Sequence, residues 1–198
     1  MKVFKHKAMK SLTFIFLILI SSVIIAQNFE FEKSKAFPFG QPNPEAPKQI
    51  KDFDPMIGNC SCKSVTRINQ NEWADTVQMW WTFKYIMNGM AIQDETWKAD
   101  GTYSGSIRQY NADSSKWYVH YYSSSAAVNT LPAWEGNKQE DGKIVLYRNQ
   151  TAPNGVDGYF RLTFSDISSE GYNWIGEWVD LAESFSYPTW KIFCRKEG

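Results

Sequence analysis

With 21 basic and 21 acidic side chains in 198 residues the chain is electrically balanced, and 16% of it is Phe, Trp or Tyr. That length suits one domain with an adequate core, whereas a nucleic-acid surface, which needs clustered positive charge, is excluded. Two histidines and three cysteines are too few and too scattered for a metal centre.

The N-terminus reads as a secretory signal. Lys2, Lys5, Lys7 and Lys10 precede an almost continuous apolar run from Leu12 to Ile25, and Ile24 and Ala26 stand at −3 and −1 of a cut before Gln27. Residues 1–26 are therefore assigned to a signal peptide, and the mature chain to the periplasm or the exterior without membrane insertion. Cleavage removes four lysines and no acid, leaving a net charge of −4. Residues 27–52 follow as a proline-rich arm, with Pro38, Pro42, Pro44 and Pro47 disfavouring both helix and sheet.

From residue 53 to residue 198 the pattern has period two. Val77, Met79, Trp81, Phe83, Tyr85 and Met87 are six large apolar residues at alternate positions, the mark of a half-buried strand. Turn signals such as Asn88-Gly89, Asp100-Gly101, Asp141-Gly142 and Asn154-Gly155 divide the rest. The segments between them predict about ten strands, near 57–68, 74–87, 90–99, 102–110, 116–122, 128–135, 143–151, 157–166, 172–180 and 188–196. Short connections imply an all-β, up-and-down antiparallel order, and closure into a single barrel removes both exposed edges. A two-sheet β-sandwich is the alternative.

Closure would pair the first strand with the last. If Gly58 faces Lys196, Cys60 faces Cys194, so a Cys60–Cys194 disulfide is favoured over Cys62–Cys194.

Several residues are familiar in order: Met56-Ile57-Gly58, Asn88-Gly89, Glu95-x-Trp97, Gly105, Ile107-Arg108-x-Tyr110-Asn111 and Trp117. Phe164-Ser165-Asp166-Ile167, Trp174-x-x-Glu177, Thr189-Trp190 and Arg195 follow. Over residues 53–197 the chain resembles the bacterial family called domain of unknown function 1579, whose members look like calycins, the lipocalin-like barrels. The resemblance implies a calycin-like barrel able to hold a small apolar molecule. Cys60 stands where the lipocalin-type G-x-W has tryptophan, and the family's Ser-x-Asp-Gly-Gly run is missing around Asp180 to Ser186.

The candidate site follows from strand phase. Asp94, Thr96 and Lys98 suit solvent, which turns Gln93, Glu95 and Trp97 inward. Ser106, Arg108 and Tyr110 point the same way from the next strand, so Glu95 and Arg108 would pair inside. That pair with Gln93, Tyr110 and Tyr121 would orient a ligand's polar end, and Trp81, Phe83, Trp97 and Trp117 would contact its apolar body. The partner expected is a small apolar or aromatic molecule; oligomeric state is not readable. No cofactor is expected, because His120, the one histidine of the mature chain, falls on the outer phase of its strand. Non-enzymatic binding is favoured. The rivals are an enzyme using Glu95 with Arg108 or Tyr110, and an envelope protein–protein adaptor using the arm or a Trp80/Trp134 patch.

Overall fold

The computed structural model describes residues 29–197; the leader assigned to residues 1–26 lies outside them. Eleven strands form one antiparallel sheet: β1 (Gly58–Asn69), β2 (Glu72–Trp73), β3 (Val77–Ile86), β4 (Ala91–Lys98), β5 (Tyr103–Asn111) and β6 (Lys116–Ser123), then β7 (Ala133–Lys138), β8 (Ile144–Asn149), β9 (Gly158–Ser168), β10 (Gly171–Asp180) and β11 (Ser186–Lys196). Neighbours follow chain order, and β1 pairs with both β3 and β11, so ten strands close into a barrel and the two-residue β2 is an extra ribbon on β1. Closure rules out the sandwich and removes the edges that an open sheet exposes.

One predicted strand moves. The segment 128–135 gives way to β7 at Ala133–Lys138, because Pro132 lacks the N–H a ladder needs and residues 124–132 form a loop.

The two ends of the barrel differ. Lys48–Met56 forms a 3-10 helix whose Ile50, Phe53 and Met56 are buried. Apolar residues three apart share one side of a 3-10 turn, and here that side plugs one end of the barrel. Phe53 meets Trp117 edge-on at 4.9 Å, Phe164 at 6.0 Å and Phe83 at 6.3 Å between ring centroids. Polar ties fix the plug: Trp117 Nε1 donates to Asp52 at 3.0 Å, and the Tyr85 hydroxyl donates to Asp54. Both the burial and that carboxylate push the Tyr85 phenol well above its ordinary range.

The preceding residues strap onto the same end. Gln41 N donates to Phe31 O, Asn43 N to Gly89 O, and Tyr85 N to Phe39 O. Gly89 is needed beneath the strap: its φ is +77°, and a Cβ there would lie 2.4 Å from Gln41 O and 2.5 Å from Asn43 N.

The disulfide joins Cys62 to Cys194, not Cys60 to Cys194. Across the seam Cys62 faces Cys194 and Cys60 faces Lys196, two residues from the register expected from sequence. Cys60 points inward as a buried free thiol, and burial pushes its pKa up, which keeps it protonated and poorly nucleophilic. Under denaturing conditions the oxidised chain is expected to show one reactive thiol and Cys60→Ser none. Cys62→Ser should lower the unfolding free energy by about 2–4 kcal/mol, since the bond closes a separation of 132 residues. A reactive thiol left in oxidised Cys60→Ser would disprove this pairing.

Candidate functional site

Above the plugged storey the barrel is hollow. The cavity measures about 280 Å³. Its wall is aromatic: Trp81 from β3, Tyr121 from β6, Trp134 from β7, Phe160 from β9, Trp174 from β10 and Trp190 from β11. Trp174 and Trp190 meet edge-on at 5.1 Å, and Trp134 packs against Tyr121 and Phe160, each at 6.4 Å. The polar tips of Trp134 and Trp190 are tied to the barrel itself. Trp190 Nε1 donates to Ser64 Oγ at 2.8 Å and Trp134 Nε1 to Phe160 O at 3.1 Å. The faces of these rings are therefore presented in fixed positions.

A polar floor separates the cavity from the filled storey. Arg108, only 3% exposed, pairs with Asp94, whose second carboxylate oxygen accepts from Trp81 Nε1 at 2.7 Å. Ser106 donates to Asp94 as well, and Thr96 shares a hydrogen bond with Ser104. The guanidinium carbon of Arg108 sits 4.8 Å from the Phe83 ring centroid and 5.2 Å from that of Phe53. Burial draws the guanidinium down from its ordinary value to about 9, and the Asp94 carboxylate against it holds the charge in place. Its Nε is buried without a hydrogen-bond partner.

Of the residues selected from sequence, Trp81, Arg108 and Tyr121 line the cavity. Phe83 and Trp117 face inward too, but both are fully buried around Phe53 in the filled storey. Tyr110 is half-buried against Trp117 at 5.6 Å, away from the cavity.

Gln93, Glu95 and Trp97 point the other way, outward, which corrects the expected phase of β4. Across the hairpin Tyr85 pairs with Ile92, Phe83 with Asp94 and Trp81 with Thr96, so the inward row of β3 continues into Ile92, Asp94 and Thr96. Glu95 bonds Lys84 at 2.7 Å in solvent and does not meet Arg108. Gln93 donates to the Tyr122 hydroxyl at 2.7 Å. Trp97, 45% exposed, stacks on Trp80 at 4.5 Å. The expected carboxylate–guanidinium pair exists, but with Asp94 as the acid.

These placements separate residues that the rival readings had combined. Glu95 has no shared site with Arg108 or Tyr110, and Trp134 belongs to the cavity wall rather than to a surface patch with Trp80. His120 pairs with Ile107 and lies one residue off the inward Val119 and Tyr121.

Sequence phase passed over Trp134, Arg148, Phe160, Trp174 and Trp190, all cavity-lining. A signal existed for Arg148. Ile144 and Leu146 are buried apolar residues two apart, so their row runs on into Arg148.

No family model matches the chain, and no curated protein does. Thirteen chains of known structure match it. One is the crystal structure of Rv2717c from M. tuberculosis, which is similar over 78% of this chain and 100% of its own, with 9% identity and a TM-score of 0.50. At that identity the likeness shows a common fold and no more. No helix among the described residues is long and apolar enough to cross a membrane. What the chain is shown to be is a ten-stranded antiparallel barrel with a Cys62–Cys194 disulfide and a buried aromatic cluster.

Proposed function

We propose that this is an exported, non-enzymatic barrel that binds a small, mostly apolar ligand in its aromatic cavity. The observation that carries the reading is the cavity of about 280 Å³, walled by fixed aromatic rings around a few convergent polar groups. Ligand sites have this composition: apolar area supplies the affinity, and a small number of placed donors and acceptors set orientation. Export rests on the basic and apolar residues 1–26, with the disulfide as support, because such bonds persist in oxidising compartments. In this reading residues 27–52 are the arm of the mature domain. Kinship with domain of unknown function 1579 rests on the residues quoted for it.

The test uses residues 27–198 with the disulfide intact, titrated with 1-aminoanthracene. Entry into the cavity is expected to quench tryptophan emission and to raise and blue-shift the probe's own fluorescence. Leu162→Trp places an indole inside the cavity and should abolish both changes while the barrel's circular dichroism persists. Unchanged emission in the wild type, or equal quenching in Leu162→Trp, would defeat the proposal.

A further inference from the structure

The charges inside the cavity do not cancel. Asp94, Arg108 and Arg148 are the ionisable acid and bases on its wall. Asp94 is consumed by Arg108. Arg148 has no carboxylate within 4.0 Å among the described residues, in contrast to Arg161, which holds both Glu177 and Glu183. Its guanidinium lies 4.4 Å from the centroid of Trp134, and one N–H donates to Gln150 Oε1 at 3.1 Å. A guanidinium has five N–H donors, so most of its hydrogen-bonding capacity is left without a partner among the described residues. The ring beneath fixes its plane.

A second cation stands against a cavity ring. Lys98 follows Thr96 on the inward row of β4, and its Nζ lies 4.4 Å above Trp190, one of the cavity rings. It too makes no ion pair within 4.0 Å among the described residues. Of the acids on the neighbouring loops, Asp100 acts on Lys98 from beyond ion-pair distance while accepting from Thr102 N, and Asp180 accepts from Ser184 Oγ and Phe185 N. Partial burial lowers the pKa of Arg148 with no anion opposing it, whereas for Lys98 the charge of Asp100 partly offsets the same effect.

We infer that the ligand is an organic monoanion, an apolar body bearing a carboxylate, whose charged end is held by Arg148, with Lys98 adding to the positive field. The inference rests on the ligand-binding reading above and assigns the chemical class of the ligand. A planar guanidinium fixed on an aromatic face suits a carboxylate's two oxygens, and an anion there neutralises the excess positive charge of the cavity. The neutral Asp94–Arg108 floor at the far side supplies no net field, so the body of the ligand lies inward and its charge outward.

The experiment compares 2-naphthoate with its uncharged methyl ester by titration calorimetry on residues 27–198 at pH 7. The carboxylate is expected to bind about tenfold more tightly than the ester, the ratio one charge-assisted hydrogen-bonded contact typically supplies. Arg148→Gln should bring that ratio close to one, and Arg148→Lys, which keeps the charge and loses the planar fork, should keep only part of it, as should Lys98→Gln. Lys63→Gln, an exposed lysine outside the cavity, should leave it unchanged. Equal binding of acid and ester by the wild type would overturn the inference while leaving the ligand-binding reading standing. A preference that survives Arg148→Gln would overturn it as well, and binding of neither compound would sink both.

Discussion

Replacing Asp94 by Asn is expected to lower the unfolding free energy by about 3–5 kcal/mol, one of the two largest effects of a single substitution in this barrel. The loss is not the strength of the ion pair. It is the penalty for leaving the Arg108 guanidinium charged and 97% buried with an amide in place of its counter-ion. Trp81 Nε1 and Ser106 Oγ also donate to that carboxylate and would lose their charged acceptor. The double variant Asp94→Leu with Arg108→Met should recover much of the stability, because no charge then remains to be solvated. Glu95→Gln, one residue along, should change it by less than about 0.5 kcal/mol, since Glu95 meets Lys84 in solvent. Equilibrium urea denaturation of the four proteins measures these differences. A large effect at Glu95 with a small one at Asp94 would mean that β4 is turned the other way.

That contrast marks where the sequence was legible and where it was misread. The alternation Met79, Trp81, Phe83, Tyr85 identifies an inward row, and Asn88-Gly89 at the turn brings Tyr85 opposite Ile92. Counting onward from Ile92 puts Asp94 and Thr96 inside, so the acid of the buried pair was available from hairpin geometry alone. The polarity of Asp94, Thr96 and Lys98 points the other way, because polarity alone does not reveal an acid buried with its own cation. Trp97 is instead part of an outer row in which Trp80, Trp97 and Tyr103 stack across three strands. Apolarity identifies burial only when the outer face is polar, and here Trp80 already broke that rule.

The seam was less legible for a different reason. Each hairpin register is local, but the register of β1 on β11 is set by the stagger accumulated around the whole barrel. A displacement of two residues keeps every side chain on its face, so alternation cannot distinguish Cys60 from Cys62 as the partner of Cys194. The cavity's empty storey was hidden for a related reason. Which aromatic residues fill space and which surround it depends on the Lys48–Met56 segment, and its proline-rich surroundings offer no helical run long enough to predict.

Phe53→Ala is therefore the second decisive substitution. The ring of Phe53 is fully buried and contacts Phe83, Trp117 and Phe164 while lying under the Arg108 guanidinium. Removing it should lower stability by about 3–5 kcal/mol, the range for deleting a buried aromatic side chain whose surroundings cannot collapse. Collapse is restricted here because Phe83, Trp117 and Phe164 come from strands hydrogen-bonded around a closed ring. Phe53→Leu should regain about half of the loss, and in both variants the denaturation slope should stay near the wild-type value if the barrel itself is intact. The same substitution separates plug from wall. Because Phe53 fills the storey below the Arg108–Asp94 floor and Trp134, Trp174 and Trp190 wall the storey above it, 1-aminoanthracene should still bind Phe53→Ala at temperatures where it is folded. A loss below about 1 kcal/mol would show that Lys48–Met56 does not close the barrel end in solution.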